Sequence, residues 1–339
     1  KAAGYRTAAF SANRTYVTRG WGLGRGFDVF DEHRLGVQQV FRSSTLLRSI
    51  VTSEPVRRLF AFDDDLARVH APDNARALLA WLQRGGGSRP YFAFVNFMDA
   101  HGPYLPPAPY DSIFGAPNDR ADRRSIRRLA RRELDDLPPA DARRLQASYD
   151  GAIAGLDADL GRLLHEMDQR GLLRNTVVIV TSDHGEEWGE HGLFGHGNSL
   201  YYRSINVPLV MVYPGRVPPG ARVAGVVSLV DIPATVLDLA GLTPTLPGRS
   251  LRSHWENPDQ VDTAVVFSFI GGDPRLPEFA RSRNGDLWSA VDRNNQVIQN
   301  PDGSFEAFDL TNDAQGDSAL TTLTGNAERL ARRLGSVRR

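Results

Sequence analysis

Short apolar runs that stop at turn residues are the clearest pattern along this chain of 339 residues. The segments Tyr91–Phe97, Val177–Val180 and Val207–Tyr213 are such runs, and each predicts a strand that is buried on both faces. Thr7–Phe10 and Val226–Val230 predict two further strands. Because helical patterns alternate with the longer runs, we expect the three longer strands to be neighbours in one mainly parallel sheet.

Apolar residues at helical spacing predict helices between these strands. One helix is expected from about Asp73, which can cap it, to Arg84, where the glycines at 85–87 stop it. A long amphipathic helix is expected between Asp141 and Gly171, directly before the next buried strand. Its apolar positions are Leu145, Tyr149, Ile153, Leu156, Leu160, Leu163, Leu164 and Met167. This alternation predicts an α/β fold with a central, mainly parallel sheet flanked by helices.

After about Trp255 the pattern changes. Val265–Ile270, Leu287–Val291 and Phe305–Leu310 are short strand candidates separated by Asn, Asp, Gly and Pro, which is typical of an antiparallel sheet. We therefore predict an α/β domain over residues 1–255 and a small C-terminal α+β subdomain over residues 256–339.

Composition and charge add only exclusions to this picture. Forty basic residues balance forty acidic ones, so net charge gives no indication of a nucleic-acid partner. The sequence has no cysteine, which excludes disulfides and thiolate metal ligands, and no apolar run long enough to span a bilayer. Seven arginines between Arg120 and Arg132 follow helical spacing; we interpret them as a solvated helix face, with contact to an anionic substrate or head group as the alternative.

The densest group of chemically active side chains follows the strand at Val177–Val180, in the sequence SDHGEEWGEHGLFGHG. Its four acids and three histidines are Asp183, Glu186, Glu187, Glu190, His184, His191 and His196. A carboxylate beside an imidazole at the end of a buried strand suits a divalent metal ion, so Asp183 and His184 are candidate ligands. An imidazole ligand favours zinc or manganese over calcium, which prefers oxygen ligands. A helix cap or a polar surface loop is the alternative interpretation.

A second histidine, His101, follows the strand Tyr91–Phe97 in the segment Met98-Asp99-Ala100-His101-Gly102-Pro103-Tyr104. Open α/β sheets place ligand sites beyond the carboxyl ends of their strands, so His101 and Asp183 are expected at one edge of the sheet. Asp99 could orient His101 or bind a second metal ion. A proline-rich surface loop with a hydrogen-bonded histidine is the alternative.

These motifs resemble those of the sulfatases, which belong to the alkaline-phosphatase superfamily. SDHGEEWGEHG and HGPY occur in the order found in that family, YDGAIAGLDADLGRLL resembles its helix before the SDHG motif, and FEAFDLTNDAQGD resembles its C-terminal hairpin. The resemblance runs from Gly4 to about Ala319. It implies an alkaline-phosphatase-like fold and the metal-dependent hydrolysis of an anionic sulfate or phosphate ester. It also implies that Asp183 and His184 bind the metal, and that His101 and His196 contact the ester oxygens or protonate the leaving group.

The resemblance also implies groups that are absent from this sequence. Sulfatases carry an N-terminal aspartate pair and a nucleophile, which is a cysteine converted to formylglycine in true sulfatases and a serine or threonine in related enzymes. Neither motif is found here, so we expect a chain that is truncated at its N-terminus and inactive alone. A periplasmic or other extracytoplasmic location would follow if the preceding segment carried a signal.

Two positions depart from the family pattern and leave alternatives open. His184 stands where many sulfatases that bind calcium have Asn, and His196 stands about where sulfatases often carry Lys. Calcium therefore stays an alternative to zinc or manganese. A phosphoesterase or phosphotransferase with a Thr or Ser nucleophile is the enzymatic alternative to a sulfatase, and a non-catalytic, metal-retaining binding module is the other.

Overall fold

The computed structural model describes residues 1–13, 15–32, 69–85, 89–115, 137–243, 245–257, 263–276, 278–323 and 325–337. It divides into two compact units, residues 1–172 and 173–339. The arginine-rich segment 120–132 lies outside the described residues. The domain boundary near residue 255 stays a prediction. Within the described ranges, no helix is both long enough and apolar enough to cross a bilayer.

The first unit contains a three-stranded parallel sheet in the order β2-β1-β3. Its strands are β1 (Arg6–Ser11), β2 (Val29–Asp31) and β3 (Tyr91–Asn96). The central strand β1 is rich in small apolar residues and is almost fully buried. The predicted strand near the N-terminus and the parallel pairing of this sheet are therefore confirmed.

Two helices accompany this sheet, α1 (Ala71–Arg84) and α2 (Pro139–Gln169). Trp81 of α1 packs its ring against Phe10 of β1, with ring centroids 6.3 Å apart. α2 is the predicted amphipathic helix, and Gly171 takes a φ of +68° just beyond its end, a conformation that glycine adopts without strain.

The predicted burial of β3 and of one face of α2 is only partly correct. Phe92 and Phe94 of β3 are 40% and 42% exposed, and Ile153 of α2 is 41% exposed. Successive side chains of a strand point to opposite faces, so the exposed pair marks one face of β3. Apolar character alone predicted both faces as buried, because it cannot tell which face the rest of the protein covers.

The second unit begins with β4 (Val178–Thr181), which pairs with β7 (Leu209–Val212). These two strands are neighbours, as predicted, but they run antiparallel. β3 belongs to the sheet of the first unit, so the three longer runs do not form the single set of neighbouring strands that the sequence predicted. Between β4 and β7 lie the short hairpin strands β5 (Glu187–Trp188) and β6 (Phe194–Gly195) and the helix α3 (Tyr202–Ile205).

The strand predicted at Val226–Val230 is wrong. In its place a turn leads into α4 (Asp231–Leu239), which is followed by α5 (Ser253–Glu256). The Asp231 carboxylate accepts a hydrogen bond from the backbone N–H of Ser228 at 3.1 Å, and the Ser228 hydroxyl accepts one from Val230 N at 3.2 Å. These side-chain acceptors satisfy the backbone donors that a sheet would otherwise pair.

The C-terminal part of the second unit is an antiparallel sheet, as the sequence predicted, but it has four strands, in the order β11-β10-β9-β8, where the sequence predicted three. One of its faces is covered by α6 (Gly325–Val337) through Leu330 and Leu334. The other face packs against residues of the β5–β6 region, among them Leu193 and Tyr201. The strands are β8 (Val266–Ile270), β9 (Leu287–Val291), β10 (Asn295–Gln299) and β11 (Phe305–Asp309).

Candidate active site

Asp183 and His184 follow the end of β4, where the sequence predicted them. The side chain of Asp183 is 85% exposed, and its Oδ1 lies 3.8 Å from Nε2 of His184. Nδ1 of His184 lies 2.9 Å from the Gly185 carbonyl oxygen. A carbonyl can only accept, so in the neutral ring Nδ1 carries the proton and Nε2 carries the lone pair. A carboxylate oxygen and an imidazole nitrogen, both suitable metal ligands, therefore face each other at the strand end.

Gly185 permits the close approach of another backbone segment just after this pair. A Cβ atom at this position would lie 2.0 Å from the carbonyl oxygen of Arg203, which no real side chain could tolerate. The backbone N–H of Gly185 also donates to the Ser204 carbonyl at 2.8 Å. The glycine thus lets the chain after His184 run directly against α3.

His196 lies against the same pair, although it is twelve residues further along the chain. Its ring stacks on that of His184, with centroids 4.0 Å apart and planes 22° apart. Its Nδ1 lies 2.9 Å from Oε1 of Glu186, whose side chain is only 4% exposed. The buried carboxylate accepts from Nδ1 and fixes the orientation of the ring. Two of the three histidines in the motif, His184 and His196, are therefore adjacent.

The β5–β6 hairpin produces the pairing of Glu186 with His196. Glu187 of β5 is opposite Gly195 of β6, so the residues just outside this register, Glu186 and His196, meet at the open end of the hairpin. Gly195 takes a φ of +81°, a left-handed conformation that favours glycine. Sequence reasoning did not identify Glu186 as a partner of His196, because the register of a two-residue hairpin leaves no signal in the sequence.

Glu187, the next residue, has a different environment. It is fully buried, and its Oε1 accepts a hydrogen bond from the Ser199 hydroxyl at 2.7 Å. Its other carboxylate oxygen has no hydrogen-bond partner among the residues that the structure describes. Burial raises the pKa of this carboxyl group from 4.5 to about 7, and the nearby Glu190 and Glu186 add to the increase. Glu187 is thus a buried carboxyl group with a raised pKa, and the Ser199 hydroxyl donates to it.

His191 does not join the group around Asp183. Its ring stacks on Tyr201 with centroids 3.7 Å apart and planes 9° apart, and its Nε2 lies 3.0 Å from the Gly316 carbonyl oxygen. It is also the one residue other than glycine that takes a positive φ, 55°, in the described part of the chain. The sequence could not decide between a supporting role and a purely structural one for this residue.

His101 lies in the first unit, after β3. Its Nδ1 is 2.8 Å from the Gly102 carbonyl oxygen, which again places the proton on Nδ1 of the neutral ring. Asp99 turns to α1 instead, where its Oδ1 accepts from the backbone N–H of Ala71 at 3.0 Å and lies 3.6 Å from Nδ1 of His70. The hydrogen bond to the first backbone N–H of α1 accounts for an aspartate at position 99.

The proline-rich segment after His101 rests on α2 at two glycines. A Cβ atom at Gly151 would lie 2.5 Å from the Tyr110 carbonyl oxygen, and one at Gly155 would lie 3.0 Å from Pro107. The two glycines are one helical turn apart, so they form a flat strip on which the segment lies. This strip explains the glycines in the sequence YDGAIAG.

The chemistry of Asp183 and His184 fits two ligands of a divalent metal ion. Among the described residues, however, no cluster of three or more histidine, aspartate or glutamate side chains could hold a metal ion. The described residues therefore bring together one pair of candidate ligands, Asp183 and His184.

The α/β fold and its C-terminal antiparallel sheet place the chain in the alkaline-phosphatase-like class. The phosphonate monoester hydrolase from Silicibacter pomeroyi has this fold: it superposes with a TM-score of 0.67 at 21% identity, over 99% of this chain and 77% of that one. More narrowly, the family model Sulfatase matches residues 1–242, and the chain belongs to the sulfatase family. The predicted family and fold class are confirmed.

Two relatives give the extent of the similarity. Arylsulfatase K from Mus musculus is 40% identical over 129 residues, which are 38% of this chain. The endo-4-O-sulfatase from Bacteroides thetaiotaomicron is 31% identical over 184 residues, 51% of this chain. The chain spans only 23% and 34% of the length of these two relatives. Members of the sulfatase family generally use a divalent metal ion.

Proposed function

We propose that this protein hydrolyses sulfate esters with the help of a divalent metal ion. The observation that carries the proposal is the Asp183-His184 pair at the end of β4, in a chain that belongs to the sulfatase family. The relatives named arylsulfatase K and endo-4-O-sulfatase support a sulfate ester as the substrate.

In this proposal Asp183 and His184 provide two of the metal ligands. Asp183 offers an exposed carboxylate, and His184 offers Nε2, since the Gly185 carbonyl accepts from Nδ1. When bound, the metal ion would neutralise charge on the ester oxygens and lower the pKa of a nucleophile. The imidazole favours zinc or manganese, with calcium as the alternative.

His196 and His101 are the proposed catalytic residues. Glu186 holds Nδ1 of His196, so Nε2 is the ring atom that would contact an ester oxygen or protonate the leaving group. His101 would act through the same atom, because its Nδ1 is directed to the Gly102 carbonyl. An imidazole can do either task near neutral pH, since it binds and releases a proton there.

The metal assignment is tested by replacing Asp183 with alanine in the purified protein. We expect Asp183→Ala to lose bound divalent metal, measured by elemental analysis, and at least a hundredfold of any aryl sulfatase turnover. Asp168→Ala is the matched control, because Asp168 is an exposed aspartate of α2. Unchanged metal content in Asp183→Ala would remove Asp183 from the metal site.

The same preparations decide between the substrate classes. Aryl sulfate and aryl phosphate esters of the same phenol are compared, each with zinc, manganese or calcium added. Faster turnover of the sulfate supports the proposal, whereas faster turnover of the phosphate supports the phosphoesterase alternative. Metal-dependent binding of sulfate without turnover of either ester would indicate a non-catalytic binding module.

A further inference from the structure

The connection between β5 and β6 is fastened to the C-terminal sheet through His191. The imidazole lies flat on Tyr201, and its ring meets the edge of Phe308 of β11 with centroids 5.6 Å apart and planes 81° apart. Nε2 of His191 lies 3.0 Å from the carbonyl oxygen of Gly316, in the turn that follows β11. The backbone of His191 is in the left-handed region, which is unfavourable for a residue with a Cβ atom. Surrounding contacts must hold it there.

The same surface is also a hydrophobic core. Leu193 and Tyr201, both 3% exposed, pack against the inner face of the C-terminal sheet. The sheet residues in this cluster are Val291, Ile298 and Phe308, with Leu310 just beyond β11. The β5–β6 region is therefore one layer of a packed structure, with the C-terminal sheet as the next layer.

A charged contact through Arg203 joins the connection between β5 and β6 to the turn after β11. Arg203 of α3 donates from Nε and Nη2 to the two carboxylate oxygens of Asp317, at 2.8 and 2.7 Å. Its Nε is also 3.4 Å from Oε1 of Glu190, the residue before His191. A paired, planar contact of this kind constrains direction as well as distance.

The hairpin links these contacts to the histidine pair. The end that carries His191 and Leu193 is fixed on the C-terminal sheet, and the other end carries Glu186 and His196. Two short paired strands connect the ends, so movement of the fixed end would move His196 relative to His184. An error of about 1 Å in the position of a catalytic group can cost a hundredfold in rate.

We propose that His191 is a positioning residue: by fastening the β5–β6 hairpin to the turn at Gly316, it sets the stacking of His196 on His184. The C-terminal sheet thereby determines the geometry of the histidine pair. The inference deepens the proposed function and rests on it only for the catalytic task of His196.

The test compares three versions of the protein. His191→Asn removes the ring and its hydrogen bond but keeps a side chain that tolerates a positive φ. Tyr213→Phe is the matched control, because it removes one hydrogen bond of an aromatic residue in the same unit, from the Tyr213 hydroxyl to Asn175 at 2.9 Å. The main measurement is the pair of imidazole signals of His184 and His196 in nuclear magnetic resonance spectra, which needs neither turnover nor a bound metal ion.

In His191→Asn we expect the signals of both the His184 and the His196 ring to shift, because the ring current of each stacked imidazole changes the chemical shifts of the other. The kcat for the ester should fall about tenfold to a hundredfold, with unchanged metal content. In Tyr213→Phe the signals and kcat should match the wild type. Unchanged signals in His191→Asn, or equal shifts in Tyr213→Phe, would overturn the proposal. Absence of esterase activity in the protein with its nucleophile segment would reject the proposed function, whereas the imidazole signals would still decide the role of His191.

Discussion

Replacing Glu187 with glutamine should change how the stability of the protein depends on pH. The carboxyl group is fully buried, and its pKa is raised from 4.5 to about 7, chiefly by burial. Between these pH values the folded state keeps a proton that the unfolded state has lost, so the wild type loses stability as pH rises through this window. At about 1.36 kcal/mol per pH unit, the total loss is roughly 3 kcal/mol. The contribution levels off about one pH unit above the raised pKa.

Urea unfolding of the wild type and Glu187→Gln at several pH values between 4.5 and 8 measures this effect. Glutamine can keep the acceptor for the Ser199 hydroxyl but has no titrating proton. Relative to the wild type, the variant should therefore gain roughly 3 kcal/mol between the two ends of the range. Ser199→Ala provides a second check: without the hydroxyl that lowers the pKa of Glu187, the window should extend to higher pH. A difference between wild type and Glu187→Gln that does not vary with pH would refute the reasoning.

Two further predictions concern packing. Gly151→Ala should lower the free energy of unfolding by about 1–3 kcal/mol in urea, because its Cβ would lie 2.5 Å from the Tyr110 carbonyl oxygen. Gly161→Ala, on the same helix with nothing within 4 Å, should be neutral or stabilising by up to about 1 kcal/mol. Equal losses of stability in the two variants would contradict the close approach at Gly151. Leu330→Ala should cost about 2–5 kcal/mol, since this fully buried side chain fixes α6 on the C-terminal sheet. The exposed Arg332→Ala should cost under about 1 kcal/mol, and a similar cost for both variants would argue against a packed α6.

The sequence predicted strands well where apolar residues alone decide them. β9 was predicted with the bounds that the structure has, Leu287–Val291. β10, Asn295–Gln299, was not predicted, because three of its five residues are polar although four of the five are buried. Gln296 is fully buried since its Nε2 donates to the Leu200 carbonyl at 2.6 Å and to the Ser289 hydroxyl at 3.0 Å. The Leu200 carbonyl lies 96 residues away along the chain, so no local sequence pattern could predict this contact.

The candidate site was predictable to the extent that it depends on adjacent residues. Asp183 and His184 are neighbours in sequence, so their place at the end of a strand followed from the apolar run before them. The partners of His191 could not be inferred, because Tyr201 and Gly316 are ten and 125 residues away. Only the folded second unit brings them together.

Glu186 and Glu187 show the same limit within two consecutive residues. In an extended backbone, successive side chains point to opposite sides. Glu186 therefore meets His196 on one side of the hairpin, while Glu187 enters the interior on the other and meets the Ser199 hydroxyl. Around Glu187, hydroxyl donors such as Ser199 offset only part of the cost of burying a charge, and burial raises the pKa of this carboxyl group. A shift of one residue in the hairpin register would exchange these two environments, so the register, rather than the residue type, decides which carboxylate orients His196.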